Sequence, residues 1–322
     1  MSDQPPHPPN PLFVLRGSKD AVNCVKFCPT ADANDRGRLL SGCSGGELRV
    51  WNLETRRTEC VLDGHNGKSV LWVHPMTGQK ILSQGRDGNV LSWDLREGRY
   101  EVSSHLPMSG LTFCKCDVYQ QGRPLLAGPG RESEVCIFDL NDGKVVCSLT
   151  VDIKSFGMPM CITFLSVSRL LIGYEGGQLA LWDTTSRRML AHKQLHNEAV
   201  MSLDYSTFSE RGVSGSADDK LVTWTLKEDT FAVRANTRLT NSGVSDICIR
   251  EDDKVLATAG WDSRIRLFGW KNMKPLAVLI YHQQTINAVT FSQPFPYHGS
   301  ARLLAAASKD KQISVWSVYN PC

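Results

Sequence analysis

His65, Ser83, Asp87 and Trp93 follow one another in a single stretch of the chain, and a Ser, a His and an Asp together are the raw material of acyl-transfer hydrolysis. A nucleophile of that kind works once, from a strained exposed turn, with an imidazole beside it and N–H groups to hold an oxyanion. Here the set returns as His196, Ser214, Asp218 and Trp224, and in both copies the Asp lies four residues after the Ser and the Trp six further on. A repeated set is better explained as internal hydrogen bonding. The sequence therefore predicts a structural network at these eight residues, and no catalytic residue.

Other residues that could do chemistry lack the company they need. The 11 cysteines are odd in number, and Cys24, Cys136, Cys161 and Cys248 stand at strand positions where a thiol acts as a small buried apolar group. Cys24 with Cys28, and Cys114 with Cys116, have no second paired ligand group of the kind zinc uses. Gly-rich stretches such as GCSGG, GPGRE and YEGG lie between strands rather than before a helix, so they read as turns and not as phosphate cradles. The expectation is no metal and no cofactor. With 36 basic against 33 acidic residues and a net charge of +3, no single-sign field points to nucleic acid or a membrane surface. No run of 18 apolar residues occurs, and MSDQPPHPPNP has neither a basic start nor an apolar core, so the chain is expected in the cytoplasm, with the nucleus as a second compartment.

The elements that must position these residues show through an internal repeat. Segments ending at Trp51, Trp93, Phe138, Trp182, Trp224, Phe268 and Trp316 align on their last aromatic, at intervals of 42, 45, 44, 42, 44 and 48 residues. That is the period of four-stranded propeller blades. AVNCVKF, AVMSLDY, GVSDICI and TINAVTF open units as first strands, and no segment carries a 3.6-residue amphipathic pattern longer than about two turns. The reading is all-β, with one ring over residues 11–322 behind a Pro-rich disordered tail at 1–10 whose P-x-x-P reads as linker. Trp316 stands too near the end for another outer strand to follow, whereas PLFVLRG precedes the first complete unit, so the N-terminal strand is expected to complete the seventh blade.

The order of GH or a lone His, a Ser or Thr, the turn Asp and then Trp, often followed by Asp as in LSWDL and LALWDT, resembles WD-repeat propellers. The resemblance implies a seven-bladed WD40 β-propeller in which His, Ser, Asp and Trp form a buried network linking loop to strand. Elsewhere the set is incomplete. Thr258 and Asp262 lack an obvious His, Asp310 has His282 but Ala306 in the Ser position, and Gly45, Glu132 and Gly176 replace the turn Asp. Those blades are expected to rely on apolar packing. FVLRG, LDGH, LSQGRD, GMPMC, ATAGWDSRIRLF, KPLAVL and SKDKQISVWS look like one branch of the family, named for its likeness to heterotrimeric G-protein β subunits. The long γ-pairing helix of true β subunits is not seen in the roughly ten Pro-rich residues before the first strand. Related fungal members belong to an assembly with the Tel2-Tti1-Tti2 adaptor, which supports maturation of phosphatidylinositol 3-kinase-related kinases. The resemblance therefore implies a non-catalytic scaffold, a co-chaperone or assembly factor that is monomeric by itself and has that adaptor and those kinases as partners. A G-protein-β-like signalling scaffold is the alternative.

If chemistry is absent, function lies on loops carried by a rigid ring. The residue before each turn Asp, or before its substitute, is a natural contact position: Ser44, Arg86, Arg131, Glu175, Ala217, Trp261 and Lys309. Trp and Arg are the types most enriched at binding hot spots, which singles out Arg86, Arg131 and Trp261, with Lys309 as a further cation. Phe156 and Met158 in SFGMPM add an adaptable apolar surface. The longer inserts CPTADANDRGR, CKCDVYQQGRP and SQPFPYHGSAR read as polar, mobile loops on the opposite face.

Overall fold

Short apolar runs separated by Gly, Asp and Asn leave no room for a long helix and drive the chain into hairpins. The computed structural model describes residues 9–29, 37–96, 99–110, 112–295 and 301–320, within which 28 strands, β1–β28 in chain order, build seven four-stranded antiparallel sheets. Six sheets take four consecutive strands. The seventh orders β26 (Ile286–Phe291), β27 (Leu303–Ser308) and β28 (Ile313–Ser317) from the inside and adds β1 (Phe13–Leu15) on the outside. Phe13 pairs with Val315 and Leu15 with Ile313, and the Leu12 N–H adds a 2.7 Å bond to the Val315 carbonyl. The protein is a seven-bladed β-propeller closed by its N-terminal strand.

Burial follows the radial arrangement. Middle strands are covered on both faces by neighbouring blades, so β23 (Val255–Gly260) and β27 are buried at every residue. Outer strands keep one face in water, and β5 (Arg57–Asp63) alternates accordingly. Six blades carry a β-bulge between the aromatic and the residue before it, as at Val50/Trp51 and Ser92/Trp93. The aromatic thus stands where the ladder to the outer strand bends, and a second irregularity recurs at the start of the inner strand, as at Val22/Cys24 and Val70/Trp72.

The second of the longer inserts departs from expectation. CKCDVYQQGRP is not a mobile loop of the opposite face: Cys114 and Cys116 are buried, and Asp117–Tyr119 forms the inner strand of the third blade against Leu125–Pro129. Its apolar signal is weak because polar bonds hold it. Gln84 receives the Cys116 N–H and donates to the Cys114 carbonyl, each at 2.9 Å, and Asp117 accepts the Phe164 N–H of the next blade at 2.8 Å. Residues 30–36 and 296–300 of the other two inserts, and residues 1–8 of the Pro-rich tail, lie outside the described residues.

Polar groups on inner strands stitch blade to blade around a central channel of about 280 Å³. Asn23 and Asn287 donate to the carbonyls of Val70 and Val22, and Asp204 and Asp246 accept the N–H groups of Ile249 and Val289. Lys115 reaches Asp246 at 3.5 Å, from the third blade to the sixth. Burial pushes the Asp204 carboxyl up to about 6, against the pull of the Ile249 and Tyr205 N–H groups and of Lys26, with Asp246 adding to the rise. A carboxyl raised in the folded state contributes stability that is whole below its unfolded value of about 4 and lost as pH rises through 6. Asp204→Asn keeps an acceptor and does not titrate. It is expected to gain about 2 kcal/mol relative to the parent between pH 4 and pH 8, read as a widening difference in melting temperature. An equal difference at both pH values would show that this carboxyl does not titrate in the window.

Candidate functional site

The eight network residues gather inside the second and fifth blades. His65 Nε2 lies 2.8 Å from Ser83 Oγ, His65 Nδ1 lies 3.0 Å from Asp87, and the Trp93 indole N–H donates to the same Ser83 oxygen at 2.8 Å. The order of bonds is that of a hydrolytic triad, yet Ser83 and His65 are fully buried and the hydroxyl oxygen already caps an indole. No substrate reaches it. Burial pulls the His65 pKa down more than Asp87 pushes it up, which favours a neutral ring that donates to Asp87 and accepts from Ser83. His196 repeats this with Ser214 at 2.9 Å and Asp218 at 3.1 Å, and burial again lowers its pKa.

Trp224 does not join its set, and its indole nitrogen has no hydrogen-bond partner. The cause is its cross-strand neighbour. Leu39, Ile81 and Leu304 face Trp51, Trp93 and Trp316, whose indoles bond a Ser, whereas Trp224 faces Gly212. The ring drops into the space this leaves, where an added Cβ would sit 2.1 Å from it, and stacks on Tyr205 at 5.7 Å.

Two blades read as incomplete have replacements, both two residues before the aromatic. In the seventh, Ser314 lies directly across the ladder from Ala306 and supplies the missing hydroxyl, 2.8 Å from both His282 Nε2 and the Trp316 indole nitrogen. In the sixth, Arg266 lies across from Thr258 and grips both oxygens of Asp262, at 3.0 and 2.6 Å, in place of a His. Arg49 holds the same position in the first blade and bonds Glu47 at 2.6 Å. The shared spacing in LRVW, IRLF and ISVW is the signal in the sequence. These blades are tied by polar bonds as well as by packing.

The thiols are held neutral. Burial pushes those of Cys24, Cys161 and Cys248 up to about 12, far from the thiolate needed for attack or metal binding. Among the described residues no three His, Cys, Asp or Glu side chains converge on a metal-sized space.

The rim positions share one backbone bond. The N–H of Ser44, Arg86, Glu175, Ala217, Trp261 and Lys309 each donates, at 2.8 to 3.2 Å, to a carbonyl in the loop leading into its own blade, which places them on one face. Arg131 sits there in a different turn, closed by Gly130 and Glu134. Arg86, Arg131 and Lys309 are exposed. Trp261 lies against Gly243, where a Cβ would come within 2.2 Å of the ring, and remains 44% exposed. Met158 is 37% exposed. Phe156 is spent differently from expectation: its half-buried ring packs edge-on against Tyr174 at 5.2 Å and His192 at 5.4 Å, at the end of the one-turn helix Ile153–Phe156. Phe113 is an addition to this face, 63% exposed with the Arg86 guanidinium 4.5 Å from its ring centre. Taking CKCDVY for an opposite-face loop conceals it in the sequence.

Comparison with known proteins sharpens this picture. Residues 9–52, 235–269 and 273–317 match the family described as WD domain, G-beta repeat. Guanine nucleotide-binding protein subunit beta-like protein 1 of Mus musculus is 40% identical over 98% of each chain. The chain belongs to the WD-repeat family. ASTRA-associated protein 1 of Schizosaccharomyces japonicus is 26% identical over 97% of this chain and 99% of its own, and that of Schizosaccharomyces pombe is 25% identical over 97% and 99%. Among solved structures, the β-propeller domain of Myceliophteria thermophila Cps50 (Swd1) superposes with a TM-score of 0.80 at 16% identity, covering 96% of this chain and 99% of that one, which speaks for the fold alone. In this WD-repeat protein the buried polar sets build the blades and the side chains of Arg86, Arg131, Trp261 and Lys309 stay exposed on the rim.

Proposed function

We propose that this propeller is a non-catalytic interaction scaffold, a co-chaperone or assembly factor that docks the Tel2-Tti1-Tti2 adaptor and so serves the maturation of phosphatidylinositol 3-kinase-related kinases in the cytoplasm and nucleus. The observation that carries the reading is the end-to-end match to relatives named ASTRA-associated protein 1. In this reading the rim is the docking face: Trp261, Phe113 and Met158 are the apolar anchors, and Arg86, Arg131 and Lys309, exposed on the same face as Glu132 and Glu175, steer an acidic segment of the partner.

The test uses the purified full chain and purified Tel2-Tti1-Tti2. Co-elution on size exclusion is the expected result, and separate elution at micromolar concentrations removes the adaptor from the proposal. Arg86→Glu with Lys309→Glu is expected to slow association about tenfold at low salt and to flatten its salt dependence. Unchanged association kinetics would move docking to another surface.

A further inference from the structure

The seam that closes the ring leaves a hollow of about 490 Å³ on the docking face, lined by Arg16, Ser18, Tyr281, Gln283, Lys311 and Gln312 among others. It carries two cations and, among the described residues, no carboxylate. Arg16 is held by neutral groups: its Nε donates to Gln312 Oε1 at 3.2 Å and one terminal nitrogen donates to the Tyr281 hydroxyl at 3.1 Å. Tyr281 in turn donates to Gln312 Oε1 at 3.0 Å, so the two acceptors fix each other. The guanidinium is oriented along one edge, and among the described residues no carboxylate pairs with it and its remaining N–H donors have no partner, which leaves them to an oxyanion. The nearest turn carboxylate, Asp310, points inward to His282 Nδ1 at 2.9 Å and to the N–H groups of Gln283 and Gln312 at 3.2 and 3.1 Å.

Lys311 adds a second observation. Its N–H bonds the carbonyl three residues back, as do those of Gly46, Gly88 and Gly177 at the same turn position of other blades. Those glycines have φ of 91°, 81° and 86°, and Lys311 has 70°. A side chain has a conformational cost there, accepted also by Ser263 (φ 63°) after the turn Asp of the sixth blade, and Lys311 uses the position to place a cation at the hollow that Arg16 faces.

The geometry points to a recognition site for a phosphate monoester on a protein partner, a phosphoserine or phosphothreonine gripped by Arg16 and Lys311. A phosphate offers more charge and more acceptor oxygens than a carboxylate, and a fixed guanidinium beside an ammonium matches it. This goes beyond the docking proposal, and its test involves no adaptor, so either can fail alone.

The full chain with 15N-labelled arginine is titrated with a capped Gly-Gly-phosphoserine-Gly-Gly peptide and with its serine and glutamate counterparts. The phosphopeptide is expected to shift the Arg16 Nε–H signal saturably, and the other two to bind at least about tenfold more weakly. Calorimetric titration of the variants should show Arg16→Gln abolishing binding, with the fold kept because this side chain is exposed. Lys311→Gly is expected to weaken binding at least about fivefold while melting at the same or a higher temperature, since Gly relieves the turn. A shift that never saturates, equal affinity for the glutamate peptide, or binding that survives Lys311→Gly unchanged would each overturn the site.

Discussion

Trp93→Ala is expected to lower the unfolding free energy by about 3 to 5 kcal/mol, a large share of what a domain has to spare. The ring is 3% exposed, packs with Leu40, Val50, Ile81 and Leu91, and is hydrogen-bonded through Ser83 to His65 and Asp87. Removing it opens a cavity between the first and second blades and uncaps a buried hydroxyl. Asp87→Asn should cost less, because an amide still accepts from the His65 ring. The sharper comparison is with Phe. Trp93→Phe loses an indole bond to Ser83 and is expected to cost about 1 to 2 kcal/mol, whereas Trp224→Phe removes an indole nitrogen that has no partner and should cost less than that. Urea unfolding of the four variants decides the matter. Parental stability for Trp93→Ala, or equal costs for the two Phe variants, would refute the network as described.

The contrast between these tryptophans also marks how far the chain could be read before its structure. Seven aromatics at near-constant intervals disclosed the blades, and an outer strand wanting at one end with a spare strand at the other disclosed the seam, because both depend on period and count alone. The polar network depends on what faces what. Register sets Ser314 opposite Ala306 and Arg266 opposite Thr258, so a hydroxyl or a cation reaches the same point in space from the neighbouring strand. A motif that requires each residue at its usual place along the chain passes over both. Trp224 shows the converse. Every motif residue is in place, but Gly212 across the ladder lets the ring swing away from Ser214. The exposed rim positions were legible where they follow the repeat, at Arg86, Trp261 and Lys309. Phe113 was hidden because an inner strand held by Gln84 and Asp117 lacks the apolar run that announces the others.

Trp261→Ala is expected to weaken partner binding by roughly 2 kcal/mol or more, at least about thirtyfold in affinity, and to leave the fold standing. The two halves of that expectation have separate causes. Folding in the sixth blade rests on the residue beside it, where Asp262 is gripped by both terminal nitrogens of Arg266, and on Thr258 and Phe268 buried behind them. Trp261 contributes its backbone to the turn, through its N–H to Gly243 and its carbonyl to Thr285, and Ala preserves both bonds. Its ring gives up part of its surface to Gly243 and keeps the rest in water, so truncation opens the surface rather than the core. A half-covered, pre-positioned Trp loses little freedom on binding, which is why such rings carry a disproportionate share of interface energy. The measurement pairs a melting curve with the affinity for purified Tel2-Tti1-Tti2. A stable variant that binds as the parent does takes Trp261 out of the interface, and a variant that melts early makes the contact with Gly243 its main work.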